Sequence, residues 1–406
     1  MGLGNTSILQ YLMKLRHALH ALENVECSAT EDRRSLPVFD AWMDLVAVFS
    51  AVSVAAKRVG AMVRRAGLPP GSSRVAGEWS AMKMEQEANR IWIDELSASQ
   101  RSCLLVSEDL PELLVLDEET QGKFVVVFDP LTGRANPPCT EMGAIFGIFR
   151  QLSYGGTKEH SPDWRDALQP ARQLVCAGYV LYGPSVVLYS SFGAGVQGFT
   201  LDGAMNDWVL TQQQVRIPFC GHRYSLDEGF ESLWDGELRD AVRRFKLSVC
   251  LNGERRSLRR TGSMVADLHR VMVDGGVVLY PTHADGPRGQ LKVLYEAGPL
   301  AFLVEQAGGR AIDGKRSLLD VRPAALHDHV PAYMGSVDDI ELLEQLLRKV
   351  DRDPMFQLRR SISIQEGMLK RNAASDEHHA ESSWEPFEEG GGILASALPL
   401  LHEDDS

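Results

Sequence analysis

Cysteine is scarce. Six fall in 406 residues (Cys27, Cys103, Cys139, Cys176, Cys220 and Cys250), without a CxxC pair. That excludes a disulfide framework and a structural zinc site, and it reads as reduced, mostly buried thiols of an intracellular protein. An excess of basic charge is also missing. A net charge of -13 excludes non-specific nucleic-acid binding, which needs a cationic surface. No uninterrupted apolar run reaches the length of a bilayer crossing, so no transmembrane segment is expected. What remains is ordinary for a globular chain, 44% hydrophobic and 24% charged. Its length suffices for one large domain or two closely packed ones.

The most informative stretch is Leu105 to Asn136. A short apolar run, Cys103 to Val106, ends in Ser107-Glu108-Asp109, and a second, Phe124 to Phe128, ends in Asp129-Pro130-Leu131. Runs of this kind suit strands buried on both faces. Ligands bind beyond the carboxyl ends of such strands in open α/β sheets. Two strand-end carboxylate groups in one crevice would suit a hard cation such as Mg²⁺, which takes oxygen ligands. Taken alone, a strand-end aspartate reads more readily as a solvated turn residue.

Along the chain, residues 1–36 read as an N-terminal appendage, with Ile8, Leu9, Leu12, Leu15, Leu19 and Leu22 at helical spacing. Met1-Gly2 with Thr6 fits the minimal N-myristoylation pattern. A helix is expected from about Pro37 to Ala66, stopped by Gly67 and Pro69-Pro70. A polar helix follows from Glu78 to Ala98. The segments at Asp166–Pro170, Ala177–Tyr179, Leu181–Gly183, Val186–Leu188, Gly193–Leu201 and Trp208–Leu210 suit successive strands. Residues 351–406 carry twelve acids against five bases and a triple glycine, the composition of a disordered acidic tail. Between the two ends we expect an N-terminal α/β half, 37–210, and a C-terminal α/β half, 211–350.

The words VSED, FDPLTG and LKVLYEAGPLAFLVEQAGG, in that order, resemble the fructose-1,6-bisphosphatase family (class I), and the likeness spans about residues 40 to 348. The resemblance implies a layered α/β/α/β/α sugar-phosphatase fold in a homo-oligomer (tetramer or dimer), cytoplasmic, acting in gluconeogenesis and carbohydrate metabolism. It implies Mg²⁺ as cofactor and fructose 1,6-bisphosphate as the sugar-phosphate partner. By residue, it implies catalytic roles for Glu108, Asp109 and Glu85, and metal ligation by Glu108, Asp129, Leu131 and Glu296. Glu85 fits a solvated helix face equally well. On the substrate side it implies Asn136, Asp227, Arg259, Arg260, Tyr280 and Lys292, with Arg259 reaching into a neighbouring subunit's site. Arg259 and Tyr280 would otherwise serve packing.

The likeness breaks at particular positions. The family reads Asp-Pro-Leu-Asp-Gly-Ser-Ser-Asn where this chain has Thr132, Arg134 and Ala135 in place of the second aspartate and the two serines. Threonine removes a metal-binding charge, and Arg134 adds a cation that repels Mg²⁺ or grips phosphate. Asp227 replaces a phosphate-contacting asparagine and would repel phosphate, Arg260 replaces a tyrosine, and Gln290 replaces a lysine. At the family's AMP site, Lys123 and Arg150 match, but Trp42-Met43-Asp44 stands where a glycine-threonine loop is usual, so AMP inhibition is expected to be lost or weakened. Two functions follow: a Mg²⁺-dependent phosphatase, with activity reduced by the degenerate loop, or a catalytically impaired paralogue (a pseudoenzyme) acting as a sugar-phosphate-binding, regulatory or scaffold subunit. A related enzyme acting on another sugar or inositol phosphate is a third.

Overall fold

The computed structural model describes residues 6–8, 10–13, 38–65, 81–117, 119, 121–133, 141–152, 161–250 and 253–347. The expectations for Met1-Gly2, Cys27, Cys139, Arg134, Ala135, Asn136 and the acidic tail lie outside these residues. By its internal contacts the chain divides into residues 1–351 and 352–406, and the described strands and helices all belong to the first of these units.

The sheet core is made by the runs that read as apolar. The strands β1 (Ser102–Ser107), β2 (Leu114–Val115), β3 (Phe124–Thr132), β4 (Met142–Arg150), β5 (Leu174–Tyr182), β6 (Val186–Ser191), β7 (Val196–Asp202) and β8 (Asp207–Val215) form one sheet in the order β2-β1-β3-β4-β5-β6-β7-β8. Among these neighbours β1 and β3 run parallel and the other pairs antiparallel. Every residue of β3 is buried, as expected for a strand covered on both faces. Beyond β8 come β9 (Arg223–Leu226), β10 (Ser257–Leu258), β11 (Val277–Tyr280), β12 (Leu291–Lys292), β13 (Arg310–Ile312), β14 (His329–Val330) and β15 (Ala332–Gly335). A second sheet runs β10-β9-β11-β15-β13, while β12 pairs with β14.

Helices cover the sheets. Helix α1 (Val38–Arg65) and helix α2 (Ala81–Ala98) supply Val48, Phe49, Val52, Trp92 and Leu96 to one face of the first sheet, where Trp92 stacks on Phe128 at 5.3 Å between centroids. The described N-terminal turn docks on the same face: Ile8 and Leu12 are buried, and Tyr11 meets Phe199 edge-on. The other face packs against α5 (Met264–Asp274) and α6 (Gly298–Gln306). The chain also forms helices α3 (Trp164–Ala167), α4 (Gly236–Leu247) and α7 (Val337–Leu347). The result is the layered α/β fold expected.

Three expectations change. The stretch Asp166–Pro170 holds no strand: Asp163 caps α3 and Asp166 returns the capping-box bond, so the local polar groups close a helical turn instead. Strand β3 does not end at Phe128 but runs to Thr132. Its register with β4 shifts between Asp129 and Thr132, where Pro130 has no N–H to donate and a bulge absorbs the gap. Finally, Trp42–Arg65 is one helix long and apolar enough to cross a membrane, with mean hydropathy 1.6 over its best window. Reading uninterrupted runs missed it, because Lys57 and Arg58 break the run. These two reach out to Asp207 and Glu95, and 61% of that window is buried within the fold, which is how a core helix passes the same test.

Of the described cysteines, Cys103, Cys176 and Cys250 are buried and Cys220 is half-buried. Burial pushes Cys103 up to about 12 and Cys176 well above its ordinary value, so neither is a thiolate at neutral pH.

Candidate active site

Parallel pairing of β1 with β3 sets the first part of the site. Ser107 lies opposite Phe128, and the Glu108 N–H donates to the Phe128 carbonyl at 3.1 Å. The next residues along, Glu108 just past the end of β1 and Asp129 within β3, therefore lie side by side. Asp129 is fixed further by its own turn, where its Oδ1 accepts from the Leu131 N–H at 3.1 Å. The third acid comes from far downstream. Glu296 sits in a single π-helical turn, Val293–Ala297, that opens α6, and its Oε2 accepts from the Lys292 N–H at 2.6 Å. Short π turns of this kind recur at functional sites.

One carboxylate oxygen from each of Glu108, Asp129 and Glu296 lies within 4.8 Å of the other two, with Asp129 and Glu296 buried and Glu108 half-buried. Three converging carboxylates repel one another strongly where water is scarce. A hard divalent cation, which prefers oxygen donors, offsets that repulsion. The donor set therefore fits the Mg²⁺ that the resemblance implies. Leu131 is buried beside the cluster. Asp109 and Glu85 lie outside it, both half-buried. The Asp109 N–H donates to Ser107 Oγ at 3.2 Å. Glu85 sits one turn before Asn89 on α2, and Asn89 accepts from the buried Ser107 hydroxyl at 2.7 Å. That bond fixes the helix face bearing Glu85 against the end of β1.

Thr132 is buried at the end of β3, paired with Gly143. Gly133 follows with φ +88, and a side chain there would meet the carbonyl of Glu141 at 3.2 Å and Ser263 at 3.4 Å. Only glycine suits this left-handed, crowded position. Gly133 thus brings the end of β3 against the start of α5, where Ser263 Oγ accepts from the Ala266 N–H as an N-cap.

The loop before α5 carries the basic residues. Its anchor is Asp267, which is buried and accepts from Ser225 Oγ at 2.8 Å and from Thr261 N and Oγ1 at 3.0 Å each. Arg260 reaches Asp227 Oδ2 at 3.1 Å and lies over the Tyr280 ring at 5.8 Å. Asp227 also caps the turn after β9 by accepting from the Gly229 N–H. The acid expected to repel phosphate is therefore charge-compensated. Burial pushes the Tyr280 phenol up; the Arg260 cation opposes this, and Asp267 and Glu296 add to it. Tyr280 thus responds both to the carboxylate cluster and to the basic loop. Arg259 is exposed and donates to the Leu258 carbonyl. Lys292 and Gln290 are half-buried, and the Gln290 amide donates to the Pro281 carbonyl.

Three roles went unassigned at the level of sequence. Asp267 stood in plain view within Gly-Ser-Met-Val-Ala-Asp, but nothing local reveals that it anchors the loop. Tyr295 and His327, which bond to one another at 2.7 Å beside the cluster, lie too far apart in sequence to be paired by pattern. Of the residues matched to the AMP site, Arg150 is exposed and Lys123 half-buried. Trp42 packs on Phe192, and Asp44 pairs with Arg101 at 2.7 Å.

Comparisons with known proteins show the family of the chain. The family profile described as fructose-1-6-bisphosphatase, N-terminal domain, matches residues 27–213, and its C-terminal counterpart matches residues 217–348. A cytosolic fructose-1,6-bisphosphatase of Brassica napus is 39% identical over 318 residues, covering 76% of this chain and 91% of that protein. The fructose-1,6-bisphosphatase isozyme 2 of Bos taurus is 39% identical over 304 residues, 73% of this chain and 88% of the other. Among solved structures, the apo fructose-1,6-bisphosphatase of Leishmania major superposes with a TM-score of 0.70 at 27% identity, covering 85% of this chain and all of that one.

Proposed function

Because the chain belongs to the fructose-1,6-bisphosphatase family, its function is that of a sugar-bisphosphatase, and we propose that it hydrolyses the 1-phosphate of fructose 1,6-bisphosphate with Mg²⁺ in the cytoplasm. The observation that carries this reading is the convergence of Glu108, Asp129 and Glu296, whose oxygens fall within 4.8 Å of one another. These residues, with the Leu131 backbone, would hold the cation. Bound there, it would supply charge to polarise the phosphoryl group and to acidify a water.

The chain's own groups do the rest. Asp109, next along the chain from Glu108, and Glu85 on α2 are assigned to take the proton of the attacking water. Arg260, Tyr280 and Lys292 are assigned to orient the distal phosphate, and the resemblance assigns Asn136 to substrate binding. Arg259 is assigned to a neighbouring subunit's site in a homo-oligomer, and the cytoplasmic placement follows the cytosolic names of relatives such as that of Brassica napus. Thr132 brings a hydroxyl where a fourth carboxylate would help, so turnover is expected to be low.

The test is phosphate release from fructose 1,6-bisphosphate by the purified protein, with and without Mg²⁺, beside Glu108→Gln. Metal-dependent release that the variant lacks supports the reading. Identical traces from the two proteins would leave the impaired, sugar-phosphate-binding paralogue as the function.

A further inference from the structure

Glu108 and Glu296 stand on two segments far apart in sequence, and one side chain bonds to both segments. His327 Nδ1 lies 2.7 Å from the hydroxyl of Tyr295, the residue immediately before Glu296. His327 Nε2 lies 3.3 Å from the carbonyl oxygen of Pro111, in the turn that follows Glu108 and Asp109. A carbonyl only accepts, so Nε2 carries the hydrogen. In the neutral ring Nδ1 then accepts from the tyrosine hydroxyl. The two rings also meet edge-on, 5.8 Å between centroids at 68°. Tyr295 is fully buried, which gives the imidazole a fixed anchor on the Glu296 side. The neighbouring carbonyl, that of Asp328, accepts from the Val293 N–H at 2.8 Å and ties the same loop to the start of the π turn.

We propose that His327 is a positioning residue, a strut that holds the Glu108 turn against the Glu296 turn and so sets the spacing of their carboxylate oxygens. It touches neither cation nor substrate. Its effect is on how tightly the cluster closes around a divalent ion, and it rests on the reading of that cluster as a metal site. The ring is also reachable. A cavity of about 620 Å³, lined by Pro111, Trp164, Arg288, Leu326 and His327 among others, opens beside it. Removing the imidazole would leave its place continuous with that cavity, so free imidazole has a way in.

The experiment is a Mn²⁺ titration of the full chain followed by electron paramagnetic resonance, without substrate, with thermal melting recorded for each protein. His327→Ala is expected to weaken Mn²⁺ binding about tenfold, the low end of what losing an outer support costs. His327→Asn keeps a polar atom near Nδ1, and His327→Gln keeps one near Nε2, so each should restore part of the affinity. Millimolar imidazole should restore part of it in His327→Ala alone. Tyr295→Phe keeps the ring and removes the hydroxyl, so it should weaken binding as well. It decides the matter if His327→Ala does not fold. Wild-type affinity in a folded His327→Ala, or in Tyr295→Phe, would overturn the proposal. So would a loss that neither amide variant nor imidazole restores, because packing alone would then account for it. A wild-type protein that binds no Mn²⁺ would overturn the metal-site reading itself and this inference with it.

Discussion

The guanidinium of Arg260 donates to Oδ2 of Asp227 at 3.1 Å, pairing across the basic loop the two residues that depart there from the family pattern. Each change alone would alter the charge of the phosphate pocket; together they nearly cancel. Both side chains are partly exposed, 26% and 38%, so the pair is of the weak, screened kind. Asp227→Asn keeps the cap on Gly229 and frees the Arg260 charge for phosphate. We expect KM for fructose 1,6-bisphosphate to fall two- to fivefold, matching ~0.5–1 kcal/mol. Arg260→Gln, which strands the acid, should raise KM instead. Steady-state kinetics at two salt concentrations check both, and the differences should shrink at the higher one.

Thr132 offers a second handle. It is buried, and the resemblance implies that it stands where the family carries a metal-binding aspartate. Thr132→Asp adds a carboxylate to a cluster that already holds three, so the metal-free protein should lose about 1–3 kcal/mol, the cost of a poorly compensated buried charge. Divalent cation should repay that loss, because ligand binding to the folded state raises stability. Melting temperatures with and without Mg²⁺ should therefore lie further apart in the variant than in the wild type, and Mg²⁺-dependent phosphate release should rise. An unchanged separation would mean that the position 132 side chain does not reach the ion.

These substitutions also mark where sequence reading succeeded and where it stopped. Glu108, just past β1, and Asp129, within β3, were legible because a buried strand announces itself by a continuous apolar run, and each carboxylate directly follows such a run. Glu296 was legible only through its long surrounding word. By contrast, the Asp227–Arg260 pair spans 33 residues and the His327–Pro111 bond spans 216, and no periodicity links positions so distant. The bulge at Pro130 was half visible: proline forbids a regular ladder there, but whether the strand ends or bends depends on β4 alongside it. The short helix at Trp164 was hidden because its last residues, Asp166 and Ala167, were read as the start of a strand from Asp166 to Pro170.

His269 predicts how stability responds to acid. Burial, with the Arg270 cation adding to it, lowers the imidazole to about 4, where a free histidine titrates near 6.5. Between those values the unfolded chain takes up a proton that the folded chain refuses. Stability from this group is therefore complete above about pH 6.5 and is lost as pH falls toward 4. From pH 7.5 to 5 the loss should be about 2 kcal/mol. His269→Asn, whose amide keeps a hydrogen-bonding group toward the Tyr179 hydroxyl that lies 2.9 Å from Nδ1, should remove that part of the slope. Urea unfolding of both proteins at pH 7.5 and 5 measures it, and equal slopes would sink the assignment.

The segment just before β10 and helix α7 hold a charge pair that should be costly to break and cheap to replace. Arg256 and Asp339 meet at 2.7 Å with side chains only 2% and 3% exposed. Asp339 also accepts from the Gly221 N–H at 2.8 Å, and Arg256 donates to the Gly221 carbonyl at 2.7 Å while lying over the Phe245 ring. Two charges so deep attract strongly, but each has given up its water, so the net contribution of the pair is far smaller than its attraction. Removing one partner leaves the other buried and uncompensated. Arg256→Met should therefore destabilise the fold by about 3–5 kcal/mol in urea unfolding. Asp339→Asn should cost less than that, since its amide oxygen still accepts from Gly221. The double variant Arg256→Met, Asp339→Leu removes both charges and fills the space with apolar atoms, so it should recover much of the loss in Arg256→Met. If the double variant instead falls by the sum of the two separate losses, the pair is held by its bonds to Gly221 rather than by the attraction between its charges.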